Sequence, residues 1–234
     1  MKKMRQIRER ARHYYTHLYH NHTLFEKGSW LETPSETIQK YIPVIQKTPH
    51  SKVLDLGCGP GRHAIPVAKA ISPQGGQVVA VDYLPEAIEQ LKMYSFQYEV
   101  ENSVQTEVAE VEKIDIPEQS FDWVFAVSLL EYVSSEAALL QLLLRIEAGV
   151  ISKRYVTFVI DTDIKEREAG TEKMLEPLVE QNMEASEMKK YLRQAFASWR
   201  IVVEKEEQHN IVMNREQRTI EQSKKVITFL AQKY

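Results

Sequence analysis

Three glycines at positions 57, 59 and 61 follow an aspartate in the short segment from Asp55 to Gly61. Glycine adopts positive φ angles and lets the backbone approach a ligand without interference from a Cβ atom. A helix that begins just after such a turn presents unpaired backbone N–H groups to the same place. The turn therefore predicts a site for a nucleotide-like ligand, and its candidate contacts are Gly57, Cys58, Gly59 and Gly61.

Two residues of this segment indicate which ligand the turn would bind. Arg62 occupies the position at which dinucleotide-binding turns carry a third glycine or alanine for close packing of helix on strand. The Asp55 carboxylate would lie near the pyrophosphate of a dinucleotide, where it is unfavourable. S-adenosylmethionine carries an ammonium and a sulfonium and has no phosphate, so the same carboxylate complements it. We therefore expect S-adenosylmethionine as the cofactor, with Asp55 and Arg62 among its contacts.

Asp82 ends the next predicted strand and is the candidate ribose ligand. Its carboxylate can accept hydrogen bonds from both ribose hydroxyls, while Tyr83 and Leu84 can pack beside the sugar and the adenine. The alternative is that Asp82 caps the helix that begins near Pro85. The glycine turn upstream favours the ribose role.

Glu110 follows the third predicted strand and is the candidate acceptor for the adenine amino group, with Val111 beside the ring. Glu112 and Asp115 are alternatives, since any of these acids can be a solvated loop charge. Its position at the end of the third predicted strand favours Glu110 over these alternatives. Two residues at the end of the fourth predicted strand complete the expected cofactor contacts, namely Val127 and Ser128.

Strands that alternate with helices must position these residues. The predicted strands are 53–56, 77–81, 103–108, 121–128, 155–160, 199–204 and 226–231, and helices are predicted after the glycine turn and at 85–98, 136–147 and 186–197. This pattern predicts a Rossmann-like, doubly wound α/β fold, with a mainly parallel seven-stranded sheet and helices on both faces. Its ligand site lies at the carboxyl ends of the strands, where the strand order reverses.

The first fifty residues are expected to form an N-terminal helical cap on a core of residues 51–234, within one domain. A helix is predicted to about His20, followed by a loop from His22 to Pro34 and a second helix from Ser35. If this cap folds over the carboxyl end of the sheet, the loop lies near the glycine turn and shields the site from water. Trp30 is the candidate residue for the substrate pocket, although aromatic residues at helical spacing are more often core.

Composition limits the class of protein. Hydrophobic residues make up 43% and charged residues 27%, which is typical of a globular protein. The apolar runs are shorter than the roughly 20 residues that a membrane span requires, and the basic N-terminus lacks the features of a secretory signal. Cys58 is the only cysteine, so no intramolecular disulfide can form. We expect a cytoplasmic protein without a metal site.

Charge argues against a nucleic-acid partner. The formal net charge of −3 does not fit binding over the whole surface. The first twelve residues could nevertheless form a local patch for RNA, DNA or anionic lipid, because six of them are basic: Lys2, Lys3, Arg5, Arg8, Arg10 and Arg12. The helical spacing of the apolar residues between them favours the solvated face of an amphipathic helix instead.

Residues 50–160 resemble the class I S-adenosylmethionine-dependent methyltransferases. Residues 53–61 are similar to the first motif of that family, Asp82 to its ribose-binding acid and residues 121–128 to its fourth strand. Residues 188–199 and 226–233 are loosely similar to the tellurite-resistance type. The resemblance implies methyl transfer from S-adenosylmethionine, and we expect a small-molecule acceptor. It also relates His209, Arg215 and Arg218 to the substrate side, but their spacing does not align and we do not assign them a catalytic role.

Two further expectations concern mechanism and local structure. In-line methyl transfer depends mainly on alignment, which can supply about 7–11 kcal/mol of barrier reduction. A hydroxyl or amine acceptor would also need a base, for which Glu131, His22 and the cap tyrosines are candidates, and none stands out. Pro66 is expected to kink the helix after the glycine turn.

Two other functions remain open. A nucleic-acid methyltransferase is disfavoured because residues 128–131 replace the Asn/Asp-Pro-Pro-aromatic or Pro-Cys motif expected after the fourth strand. A catalytically silent S-adenosylmethionine-binding protein would carry the same cofactor residues, so the sequence does not distinguish it from an enzyme.

Overall fold

The computed structural model describes residues 2–234, with side chains from Arg5 onward; Met1 and the side chains of Lys2, Lys3 and Met4 lie outside the described part. The helices are α1 (Lys2–Asn21), α2 (Glu36–Ile45), α3 (Ala64–Ile71), α4 (Pro85–Gln97), α5 (Glu136–Gly149) and α6 (Ala185–Ala195). The strands are β1 (Lys52–Leu56), β2 (Gln77–Asp82), β3 (Val104–Val108), β4 (Phe121–Val127), β5 (Val150–Glu168), β6 (Met174–Leu175), β7 (Arg200–Arg215) and β8 (Arg218–Gln232).

One sheet holds all of these strands, in the order β3-β2-β1-β4-β5-β8-β7, and β6 pairs with β5 outside this path. Strands β1 to β5 are parallel where they pair with one another, whereas β8 runs antiparallel to both β5 and β7. The predicted doubly wound α/β fold is confirmed, with the two-residue β6 as an additional strand. The chain moves outward from β1 to β3 and then returns to β4, so the strand order reverses between β1 and β4. The carboxyl ends of these two strands are therefore the expected place for a ligand.

The core lies in two layers, one on each face of the sheet. Successive residues of a strand point to opposite faces, so Val53 joins the layer under α2, α3 and α4, while Leu54 joins the layer under α5 and α6. Trp123 and Phe125 in β4 follow the same alternation, on the side of Val53. Burial on both faces explains why β1 and β4 are nearly continuous apolar runs in the sequence.

The last strands are longer than the sequence predicts. The expected strands at 155–160, 199–204 and 226–231 form only parts of β5, β7 and β8, which have 19, 16 and 15 residues. Their extensions are largely polar, and nearly the whole of β7 is exposed, so they show no hydrophobic alternation. Antiparallel pairing and cross-strand ion pairs hold them, among them Arg167 with Glu221 at 2.5 Å.

The kink expected at Pro66 has no cause in the structure. Helix α3 begins at Ala64, so Pro66 lies in its first turn. Backbone N–H groups in the first turn have no partner within a helix, and proline is tolerated there. The prediction was wrong because it began the helix too early.

The loop at 22–34 packs beside the core helices. Leu24 and Leu31 are buried in the layer that contains α3 and α4. The Leu24 N–H donates to the Tyr94 hydroxyl of α4 at 3.1 Å, and Arg62 Nε donates to the Thr33 carbonyl at 2.6 Å. The loop is thus attached to the core helices by buried apolar side chains, one buried hydrogen bond and one exposed hydrogen bond. Within residues 2–234, no helix combines the length and the apolar character that crossing a bilayer requires.

Candidate cofactor and acceptor site

The glycine turn leaves β1 at its carboxyl end and is attached to β2. The N–H groups of Gly57 and Cys58 both donate to the Val81 carbonyl, at 2.8 and 3.0 Å. Gly57 and Gly59 have φ angles of 71° and 52°. A Cβ atom on Gly57 would lie 2.9 Å from a methyl carbon of Leu129, and one on Gly59 would lie 3.1 Å from the Tyr19 hydroxyl. Both glycines therefore permit a close approach from the segments above the turn.

Gly61 and Arg62 have structural partners. A Cβ atom on Gly61 would lie 2.6 Å from Leu91 of α4, and its φ angle is 104°, so this glycine lets α3 and α4 pack closely. Arg62 is directed to the carbonyl of Thr33 in the cap loop, and burial lowers its pKa. A direct contact of either residue with a cofactor stays a prediction.

Asp55 is a buried carboxylate beneath the turn. It is 1% exposed, and its Oδ2 atom has no hydrogen-bond partner among the described residues. Burial, and then the nearby charge of Asp82, raise its pKa well above the ordinary value, while a hydrogen bond from the Ala64 N–H opposes the shift. An ionised Asp55 would have no positively charged partner among the described residues, so the position suits a cationic ligand.

Asp82 connects the glycine turn to the start of α4. Its Oδ2 atom accepts from the Gly59 N–H and its Oδ1 atom from the Leu84 N–H, each at 2.9 Å. Burial raises the pKa of Asp82, and the N–H groups of Leu84, Gly59 and Tyr83 lower it. All three N–H groups precede the first residue of α4, so these contacts join the glycine turn to the end of β2, and the role of Asp82 as a cap of α4 stays a prediction. A carboxylate has about four acceptor sites, so a ribose role for Asp82, with Tyr83 and Leu84 beside the sugar, is compatible with them and stays a prediction.

Glu110 lies beyond the end of β3, where it meets α1. It forms ion pairs with Lys113 at 2.7 Å and with Arg8 at 3.2 Å, and the hydrogen bond from Lys113 is the main cause of its lowered pKa. Neighbouring Val111 packs partly buried against the core. Glu112, an alternative to Glu110 in the sequence, instead accepts from the N–H and hydroxyl of Ser134. The assignment of Glu110 and Val111 to adenine stays a prediction.

Helix α1 lies across the carboxyl ends of the strands. Its hydroxyl and guanidinium groups reach elements on both sides of the sheet: Tyr15 bonds Tyr132 at 2.8 Å, and ion pairs join Arg8 to Glu110 and Glu180, Arg12 to Glu86, and Arg10 to Glu216. The basic side chains of α1 stay exposed or partly exposed, as a solvated face requires, and several of them also pair with acidic residues of the fold. Helical periodicity identifies the polar side of a helix but not the charges that it meets.

Tyr19 forms the contact between the helical cap and the glycine turn. This residue of α1 is buried, and its hydroxyl lies over Gly59. Its ring lies 6.1 Å from that of Tyr15 and 6.0 Å from that of Trp30, which is 39% exposed. The loop at 22–34 was expected over the site, but α1 lies there instead and Trp30 lies at its margin. Tyr15 and Tyr19 are spaced by one helical turn, and that spacing was the available signal.

The chain turns sharply at the end of β4. Ser128 has a φ angle of 51°, and its N–H donates to the Val159 carbonyl at 2.8 Å. Val127, the last residue of β4, is partly buried. After Ser128, a single turn of 3-10 helix at Leu130–Tyr132 directs Glu131 into the interior. The residues that follow β4 therefore lie beside the glycine turn. Cofactor contacts of Val127 and Ser128 stay predictions.

Glu131 is the second buried acid without full compensation. It is 1% exposed, and its Oε2 atom lacks a hydrogen-bond partner within the described chain. Burial, and then the charge of Asp161, raise its pKa well above the ordinary value, while the backbone N–H groups of Glu131 and Asp161 and the charge of Lys224 oppose the shift. Asp161 itself pairs with Lys224 at 2.5 Å. Among the candidate bases, Glu131 is therefore the one that the structure distinguishes, whereas His22 lies outside this cluster and pairs with Glu26.

His209, Arg215 and Arg218, which the resemblance relates to the substrate side, lie on β7 or at the start of β8. Arg215 is buried in an ion pair with Glu166, whose carboxylate also accepts from Gln222. His209 and Arg218 are exposed, on β7 and at the start of β8. Arg215 thus links the end of β7 to β5, and none of the three residues is assigned a catalytic role.

Comparisons with known proteins identify the core. Residues 53–147 match the family model described as a methyltransferase domain. A carboxy-S-adenosyl-L-methionine synthase from Photobacterium profundum is 32% identical over 72 residues, which are 31% of this chain and 30% of the relative. A ubiquinone biosynthesis O-methyltransferase from Xanthomonas campestris pv. campestris is 32% identical over 104 residues, which are 43% of this chain and 40% of the relative. The matched segments thus span less than half the length of these two relatives.

A solved structure shares the fold over a larger part of the chain. TehB from Haemophilus influenzae superposes with a TM-score of 0.63 at 18% identity, covering 86% of this chain and 63% of that one. Residues 53–147 therefore form a methyltransferase domain, and the fold around it is the one that TehB also has. The resemblance that the sequence motifs indicated is confirmed.

Proposed function

We propose that the whole protein transfers a methyl group from S-adenosylmethionine to a small-molecule acceptor. The observation that carries this proposal is the buried, unpaired Asp55 carboxylate beneath a glycine turn, within a domain of this family. A cationic ligand would supply the compensating charge that the described residues do not. Formation of S-adenosylhomocysteine from labelled S-adenosylmethionine, measured with a panel of phenols, alcohols, amines, thiols, oxyanions and tRNA, tests the activity and distinguishes it from silent binding.

We assign the cofactor contacts to the residues at the carboxyl ends of β1 to β4. Asp55 would face the cationic end of the cofactor, Asp82 the ribose, Glu110 the adenine, and the turn at 57–61 would contact it through its backbone. When bound, S-adenosylmethionine supplies a methyl group already activated by a sulfonium. The main contribution of the protein is to hold and orient the reactants and to exclude water.

Charge and access favour a small acceptor over a nucleic acid. Helix α1 lies across the strand ends, and basic side chains of this region are already paired with carboxylates, Arg8 with Glu110 and Glu180, and Lys224 with Asp161. Carboxylates repel a phosphate backbone, whereas a nucleic-acid site is normally basic. We therefore propose residues 1–50 as a cap over the acceptor pocket of a domain formed by 51–234, with Trp30 at the margin of that pocket.

Thermal stability should reveal which ligand the glycine turn binds. S-adenosylmethionine or S-adenosylhomocysteine should stabilise the protein against thermal unfolding, because each binds the folded state through the turn at 57–61. At a hundredfold excess over the dissociation constant, the gain is about 2.7 kcal/mol. Differential scanning fluorimetry measures it, with NADH as the matched control. Stabilisation by NADH alone would reverse the assignment of the site.

Closure of the cap should be visible in hydrogen exchange. S-adenosylhomocysteine should slow amide hydrogen exchange in α1 as well as in the glycine turn, since Tyr19 lies directly over Gly59. For amides that exchange through opening of the unliganded site, the slowing reaches about 100-fold at a hundredfold excess of ligand. Exchange at 201–214 in the exposed β7 is the internal control and should not change. Protection of the turn without any protection of residues 14–32 would exclude the cap as a lid.

A further inference from the structure

We infer that Glu131 is the general base of this site and that the acceptor is a neutral molecule whose hydroxyl or amine group must lose a proton. The inference rests on the proposed methyltransferase function and adds the class of acceptor and the residue that activates it. Neither the family match nor the sequence motifs assign a base in this chain.

The position of Glu131 follows from the turn that ends β4. Leu129 lies against the glycine turn, 2.9 Å from the place of a Cβ atom on Gly57, and Glu131 follows two residues later. On the opposite side, Tyr15 connects the two regions, because its ring packs on Tyr19 above the glycine turn while its hydroxyl bonds Tyr132. An acceptor placed beside the cofactor under α1 therefore lies in the region that Glu131 borders.

The groups around Glu131 explain why its Oε2 atom is free to accept a hydrogen bond from a substrate. Lys224 pairs with Asp161 rather than with Glu131, at 2.5 Å. The hydroxyls of Tyr15 and Tyr132 bond each other, at 2.8 Å. Glu131 Oε2 is thus a buried acceptor atom for which the described residues provide no donor. A hydroxyl or an amine can provide one, since both donate hydrogen bonds.

Electrostatics select the charge of the acceptor. Burial and the negative charge of Asp161 act on Glu131 in the same direction, and both raise its pKa, which brings it closer to the range in which a carboxylate is an effective base. A thiolate or an oxyanion would have to enter beside these two acids, and the positive charge of Lys224 is already paired with one of them. A neutral acceptor avoids this repulsion.

The proposed step balances in protons and electrons. Glu131 Oε2 takes the proton of the acceptor O–H or N–H as the lone pair of that atom bonds to the methyl carbon. The electron pair of the broken carbon–sulfur bond stays on sulfur, which leaves a neutral thioether. Glu131 then releases its proton to water when the products leave.

The test compares wild type with Glu131→Gln, using phenols, alcohols, amines, thiols and oxyanions as probes. Wild type should methylate phenols, alcohols or amines, and its turnover should rise with pH through the raised pKa of Glu131, because the base must be deprotonated. Glu131→Gln should lower kcat by about 100- to 10,000-fold and abolish this pH dependence. Its affinity for S-adenosylhomocysteine should be unchanged. Glu136→Gln, on the exposed surface of α5, is the matched control and should retain the wild-type rate.

A second measurement does not require turnover. In the infrared spectrum of wild type, a protonated carboxyl band should persist above the ordinary pH range of a glutamate and should be missing from Glu131→Gln, and this comparison also applies when no acceptor is known. A carboxyl of Glu131 that titrates in the ordinary range, an unchanged kcat in Glu131→Gln, or transfer confined to thiols and oxyanions would overturn the inference while leaving the methyltransferase function in place. Failure of wild type to bind S-adenosylhomocysteine would instead refute the proposed function.

Discussion

Replacing Asp55 with asparagine is expected to raise the stability of the unliganded protein and to weaken the binding of S-adenosylmethionine. The folded state raises the pKa of Asp55, so the folded protein binds this proton more tightly than the unfolded chain does. Its contribution to the free energy of unfolding therefore decreases as the pH rises from the unfolded to the folded pKa. The amide of an asparagine does not titrate, so the Asp55→Asn variant should lack that part of the pH dependence.

The expected magnitudes follow from burial and charge. Removing a buried charge that lacks a full set of partners should stabilise the unliganded protein by about 1–3 kcal/mol near neutral pH. Loss of the charge-assisted contact should weaken cofactor binding by about 1.5–3 kcal/mol. Chemical denaturation over a pH series measures the first change and titration calorimetry the second. Lower stability together with unchanged affinity would show that Asp55 serves only the fold.

Replacing Asp82 with alanine is expected to lower both stability and affinity. The N–H groups of Gly59 and Leu84 would lose their acceptor, which costs about 1–3 kcal/mol for each buried group left unsatisfied. Loss of the ribose contact should separately weaken cofactor binding by about 1.5–3 kcal/mol, which is the value of a hydrogen bond to a charged group. The structure thus adds a cost in fold stability that the ribose role alone does not predict.

Asp82→Asn is the matched control, because it keeps one acceptor oxygen and the side-chain shape. Its stability should fall less than that of Asp82→Ala, while its affinity should still decrease. The same denaturation and calorimetric measurements apply. If Asp82→Ala bound S-adenosylhomocysteine as tightly as wild type does and were strongly destabilised, capping would be the only role of Asp82.

The sequence predicts the core strands well because burial determines their composition. Strands β1 and β4 are covered on both faces, so the runs at 53–56 and 121–128 are apolar almost throughout. The glycine turn is equally visible, since Gly57 and Gly59 take positive φ angles and meet neighbours at short range. Most of β7 instead has solvent on both faces, and its strand structure depends on pairing with β8, which no local pattern reveals.

The candidate site is only partly predictable for a related reason. Asp55 is the penultimate residue of β1 and Asp82 is the last residue of β2, so the rule for doubly wound sheets places them at the ligand end. Glu131 lies in the turn four residues beyond β4, and residue type alone does not reveal that its carboxyl is buried beside Asp161. The contacts of Tyr19 and Arg8 join segments distant in the chain, and they depend on how α1 crosses the sheet. Periodicity within a helix carries no such information.

Ionic strength should act on α1 differently from the rest of the molecule. Most of the ion pairs that attach this helix are partly exposed, including those of Arg10 with Glu216 and Arg12 with Glu86. Such pairs contribute only about 0–1 kcal/mol each, and the Debye length falls from about 8 Å at physiological salt to about 3 Å at 1 M. The two core layers owe their stability to apolar burial, which this screening does not weaken. Salt can therefore loosen the cover of the site while the sheet that holds the cofactor residues stays intact.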